Sequence, residues 1–141
     1  MCLYVSKSLT KSVKKRFKNG RMVCYKILKK SWGCLYSPYH NLYWNFGNIN
    51  SDRYDKIIVN ECVFNGIHVH STVRSAEKFI KKNLYYSYYI IVPVICKEKD
   101  FIAAGYSDCP TLRNSHDTID NQAVFTKVYL RKKDYQKALK A

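Results

Sequence analysis

Apolar positions along this chain change period several times, and the changes mark out its elements. Leu9, Val13 and Phe17 recur every four residues, which puts them on one face of a short helix. The polar face would carry Lys7, Lys11, Lys14, Lys15 and Lys18. The same residues also read as a basic arm. Residues 1–20 are therefore expected as an arm or short helix, and residues 21–141 as one domain. From Arg21 to Lys30 the period shortens: Met22, Cys24 or Tyr25, Ile27 and Leu28 suggest a strand of imperfect alternation. Gly33 and Pro38 mark turns in the aromatic segment that follows. Trp44 to Gly47 is a second aromatic stretch, and the polar Asn48 to Arg53 reads as a loop.

Lys56 to Val59 and Cys62 to Val63 offer β-branched material. Asn65-Gly66, between Phe64 and Ile67-His68-Val69-His70, predicts a hairpin. Ser71, Thr72 or Ser75 would cap a helix that buries Ala76, Phe79 and Ile80. The apolar run Tyr85 to Cys96 predicts a central strand, with an edge or bulge at Pro93. Phe101 to Tyr106 reads as a short strand and Ser107 to Asn121 as a long loop. Ala123 to Leu130 alternates as one strand, and Lys133 to Leu139 closes the chain as a helix. Short connections between strands predict an α+β class, a single compact domain with a mixed or mainly antiparallel β-sheet and two or three short helices.

The 141 residues are 47% hydrophobic and 15% aromatic, enough for one core and too apolar for disorder. Charge adds more. The net charge is +15, from 25 basic and 10 acidic residues, and no Asp or Glu precedes Asp52. The basic residues gather early (Lys14, Lys15, Arg16, Lys18, Arg21) and late (Arg131, Lys132, Lys133). Such a field attracts polyanions and phosphate groups. None of the six cysteines forms a CxxC pair, so a zinc finger is not expected, nor any metal or cofactor. No apolar run suggests a signal peptide or a membrane span. Free thiols in a reducing, intracellular setting are the expectation.

Three segments carry candidate chemistry. Trp44 to Arg53 combines stacking rings with Asn50 for polar edges and Arg53, whose guanidinium grips phosphate in two-pronged fashion. Read plainly, it is a turn beside a core tryptophan. Gly66 to Arg74 places His68 and His70 on one strand face with Arg74 nearby, a set able to bind phosphate or exchange protons. The loop from Asp108 to Asn121 holds Arg113 and His116-Asp117 and reads as a lid or a surface loop. Tyr85, Tyr86, Tyr88 and Tyr89, near lysines, fit single-strand stacking or a homo-oligomer interface. With three Glu in the chain, there is little material for carboxylate-pair chemistry.

Met1 to Leu3, Tyr25-Lys26, Ser37-Pro38-Tyr39, Gly66-Ile67-His68, Ser75-Ala76 and Ala123 to Tyr129 together resemble small uncharacterised proteins of phages, prophages and large DNA viruses. His68, His70, Ser71 and Thr72 are similar to the strand of ADP-ribosyltransferase-like folds that touches a nicotinamide dinucleotide, though the Tyr and catalytic Glu of that pattern have no counterpart here. Three functions follow as expectations. The first is a non-catalytic protein capturing a phosphate-bearing nucleotide, such as a viral sponge for a cyclic nucleotide or ADP-ribose signal. Its ligand-binding residues would be Trp44, Asn50, Arg53, His68, His70, Arg74 and Arg113. The second is a basic viral nucleic-acid-binding or structural protein acting through its two basic clusters. The third is an ADP-ribosyltransferase-like enzyme.

Overall fold

The computed structural model describes residues 3–38, 42–51, 58–59, 62–63, 66–83, 88–107 and 121–141. In chain order the elements are β1 (Leu3–Val5), α1 (Lys7–Lys14), β2 (Arg21–Ser31), β3 (Cys34–Tyr36), β4 (Tyr43–Trp44), β5 (Gly47–Asn50), β6 (Ile58–Val59), β7 (Cys62–Val63) and β8 (Ile67–His70). They continue with α2 (Val73–Asn83), β9 (Tyr89–Lys97), one 3-10 turn (Glu98–Asp100), β10 (Phe101–Tyr106), β11 (Gln122–Phe125), β12 (Lys127–Leu130) and α3 (Lys132–Lys140). Ten strands run in the order β5-β12-β9-β2-β8-β11-β10-β1-β7-β6, and the β3–β4 hairpin hangs from β2. Among the described residues every pairing is antiparallel and there are three helices, so the α+β expectation stands.

The pleat of β2 organises the packing, because alternate residues face opposite sides. Met22, Cys24 and Leu28 enter the main core with Val92, Val94 and Cys96 of β9, Val69 of β8, Phe125 of β11 and Leu130 of β12. Val13 of α1 and Ala138 of α3 join them. On the other face Ile27 meets Ala76 and Phe79 of α2. Ser6 caps α1 by accepting the Leu9 N–H at 3.1 Å, and Thr72 accepts the Ser75 N–H at 3.1 Å at the start of α2. Thr10 clamps α1 to β10: its hydroxyl donates to the Ala104 carbonyl and accepts the Ala104 N–H, both at 3.0 Å. Beside this clamp, Gly105 lets β1 come so close that a Cβ there would strike the Tyr4 carbonyl.

The sheet must curl. β11 and β12 lie three strands apart in it, yet only Thr126 joins them. β9 and β10 are equally distant and joined by the Glu98–Asp100 turn. The two short connections meet where the Thr126 N–H donates to the Asp100 carbonyl at 2.9 Å.

The curl accounts for one departure from the sequence pattern. The run 123–130 is two strands rather than one, since Thr126 turns the chain from the β8–β10 neighbourhood to β9 and β5. Asn48 to Asn50 is strand rather than loop, because β5 finds a partner in β12. Among the described residues β7 and β8 do not form the expected hairpin with each other: β7 pairs with β1 and β6, and β8 with β2 and β11. Pro93 sits in register opposite Tyr25 inside a central strand. β12 pairs with β9 only at Ile95 and Cys96, so Pro93 lies where the ladder is one-sided, as a residue without an N–H requires. Within residues 3–20, Lys7–Lys14 form a helix, and β1 and α1 are built into the sheet and core. The expected loop lid, with Arg113, His116 and Asp117, lies outside the described residues.

Candidate functional site

Of the residues expected at a ligand site, Trp44 is buried against the core and only 1% exposed. His70 is buried with Nδ1 2.8 Å from the Ser75 hydroxyl and its ring 5.2 Å from Phe79, which ties it to α2. Arg74 is exposed at the start of α2, and Asn50 is exposed on β5 opposite Lys127. Arg53 and Arg113 lie outside the described residues. Arg74 and Asn50 are thus exposed, whereas Trp44 and His68 are both buried and share a third residue as neighbour.

That residue is Lys26. Beyond the Tyr25–His70 pair β2 and β8 no longer pair, and the Lys26 Nζ donates to the His68 carbonyl at 2.9 Å. It also lies 5.7 Å from the centre of the Trp44 ring. Lys26 is half-buried over its length, but its ammonium is withdrawn from water, and burial lowers its pKa to about 8. His68 is 8% exposed, with Nδ1 3.3 Å from the Gly66 carbonyl. That contact assigns the proton to Nδ1 and leaves Nε2 as a bare acceptor. Burial first, and the Lys26 charge second, lower the imidazole pKa to about 3. Neither His68 Nε2 nor the Trp44 indole N–H has a hydrogen-bond partner. One sequence signal for Lys26 existed: Met22, Cys24, Lys26 and Leu28 alternate, which puts a lysine on an apolar face.

A second arrangement lies at the surface. Aromatic rings form a band from α3 across the β3–β4 hairpin to β2 and β9, in two clusters with Lys29 between them. Phe46 packs edge-on against Tyr135 at 5.6 Å, and Tyr135 is hydrogen-bonded to Tyr43, which raises its phenol pKa. Tyr43 meets Tyr36 at 6.0 Å, Tyr36 pairs with Lys29 across β3 and β2, and Lys29 pairs with Tyr89. Tyr88 stacks beside Tyr89 at 5.2 Å. A lysine lies over each cluster: Lys132 is 5.5 Å from the Phe46 ring and Lys29 5.7 Å from the Tyr88 ring. Phe46, Tyr43 and Tyr88 are each nearly half exposed.

At the tip of the β2–β3 hairpin, Trp32 is 97% exposed. Trp32 and Gly33 have φ of 53° and 72°, the signature of a tight two-residue hairpin turn. Gly suits that backbone, whereas a bulky L-residue in the left-handed region costs on the order of 1 kcal/mol. Packing does not explain this tryptophan, since almost all of it faces water.

The expected basic residues point outward. Lys14, Lys15, Arg16, Lys18 and Arg21 are all exposed between α1 and the start of β2. Arg16 also donates to the Ser71 carbonyl at 2.9 Å. Arg131 is ion-paired with Asp134 at 2.6 Å, which leaves Lys132 and Lys133 as the free charges of the late cluster. Cys24, Cys34 and Cys96 are free thiols; a hydrogen bond with the Cys24 thiol, and burial after it, push the Cys96 pKa upward, which disfavours the thiolate. Among the described residues no cluster of His, Cys, Asp or Glu could hold a metal, and no helix is long and apolar enough to cross a membrane. Comparison with protein-family models, curated proteins and solved structures finds no match.

Proposed function

We propose that this protein binds single-stranded nucleic acid on the aromatic band, with Trp32 as an outlying stacking residue and the exposed lysines contacting phosphates. One observation carries the reading: a strained, almost fully exposed tryptophan at the tip of the β2–β3 hairpin accompanies two clusters of rings, each with a lysine over one of its members. Bases stack on aromatic faces irrespective of sequence, and lysine charge follows the backbone. The net charge of +15 and the outward basic cluster of α1 supply long-range attraction.

The two tryptophans make the test clean, because Trp44 is buried and Trp32 is not. Titrating a short single-stranded oligonucleotide should quench Trp32 emission, and affinity should fall steeply as salt rises. Trp32→Ala should weaken binding by about 1–3 kcal/mol, on the order of five- to 150-fold, while circular dichroism stays unchanged. If Trp32→Ala binds as tightly as the parent chain, the proposal is wrong.

A further inference from the structure

Trp44 and Lys26 present an excess of donors that the fold does not use. The indole N–H is fully buried without an acceptor, although buried polar groups are normally paired. The Lys26 ammonium carries three N–H groups and is hydrogen-bonded to one backbone carbonyl; among the described residues it has no carboxylate partner. Both groups belong to one contact, with the ammonium over the indole ring at 5.7 Å from its centre. A methionine at position 26 would fill the same volume on the apolar face of β2 without burying a charge. A cation and an N–H donor that are buried together and lack an anion are the complement of an oxyanion.

We infer that the seam between β2, β4 and β8 binds a small oxyanion, a phosphate or carboxylate group, through the Lys26 ammonium and the Trp44 indole N–H. The group sits in the core, apart from the aromatic band. The lowered basicity of Lys26 has a consequence: an anion favours the charged ammonium, so binding strengthens below about pH 8 and weakens above it.

Thermal unfolding of the whole chain tests this, with sodium phosphate and sodium acetate titrated separately against sodium chloride at matched ionic strength. A ligand held only by the folded state raises Tm in a saturable way, by about 4 °C or more at saturation. A response to phosphate alone, or to acetate alone, identifies which group the site accepts. The rise should vanish in Lys26→Met, and in Trp44→Phe, which keeps a ring but removes the N–H. Trp44→Phe decides the matter should Lys26→Met fail to fold. The inference is overturned if neither anion exceeds chloride, or if the variants respond as the parent chain does, since the effect then belongs to the basic surface.

Discussion

Acidification should unfold this protein through His68. Its ring is 8% exposed, its Nδ1 is committed to the Gly66 carbonyl, and Lys26 stands nearby, so the folded state resists a second proton down to about pH 3. In the unfolded chain the same imidazole titrates at its ordinary pKa of 6.5. Between those values the unfolded state binds the extra proton and the folded state does not, so stability falls with pH. At pH 7.5 both states hold a neutral ring and the cost is negligible. At pH 5 the unfolded imidazole is almost fully charged, and the folded state loses about 2 kcal/mol relative to it. Urea unfolding at pH 7.5, 6.5 and 5.0, followed by circular dichroism, measures the loss. His68→Gln retains an amide that can donate to Gly66 but cannot take a proton, so comparing slopes cancels contributions from carboxylates. The parent chain should lose about 2 kcal/mol more than the variant over this range. Parallel slopes, or an imidazole that titrates near pH 6.5 in the folded protein by proton NMR, would refute the reasoning.

Two further tests address the fold. Lys26 is charged more readily unfolded than folded, so its penalty is in force below pH 8 and is relieved as pH rises toward 10.5; the gain is at most about 3 kcal/mol and should be missing in Lys26→Met by urea unfolding. Gly105→Ala should cost on the order of 3 kcal/mol in the same assay, because the new methyl meets the Tyr4 backbone rather than a side chain that could move aside.

Elements with a single dominant period were legible in the sequence. The 21–30 strand, the helix burying Ala76 and Phe79, and the closing helix all sit where their apolar spacing put them. Spacing does not encode which strands become neighbours. The run 123–130 alternates without interruption because both its halves are strand, and only the curl, fixed by contacts distant in sequence, parts them at Thr126. Asn65-Gly66 is a good hairpin signal locally, but β7 found β1 and β8 found β2 instead. At the candidate sites, Trp44 and His68 were visible as residue types that bind ligands, whereas Lys26 was hidden among the positive charges of a +15 chain. Its distinction is position on an apolar face, which emerges once the register of β2 is known. Trp32 was similarly overlooked, since a tryptophan beside a glycine in sequence does not reveal whether it faces inward or outward.

The Thr126–Asp100 contact also bears on how the molecule is made. The longest ladder joins β2 to β9, strands from opposite halves of the chain, and the short links on either side of that contact can settle only after this pairing has brought their strands round. Assembly therefore requires closing a large loop, and its rate is expected to follow that search rather than helix formation. A ribosome must release most of the chain before β2 can meet β9, and until then the edge of the long strand that β9 will cover stays bare.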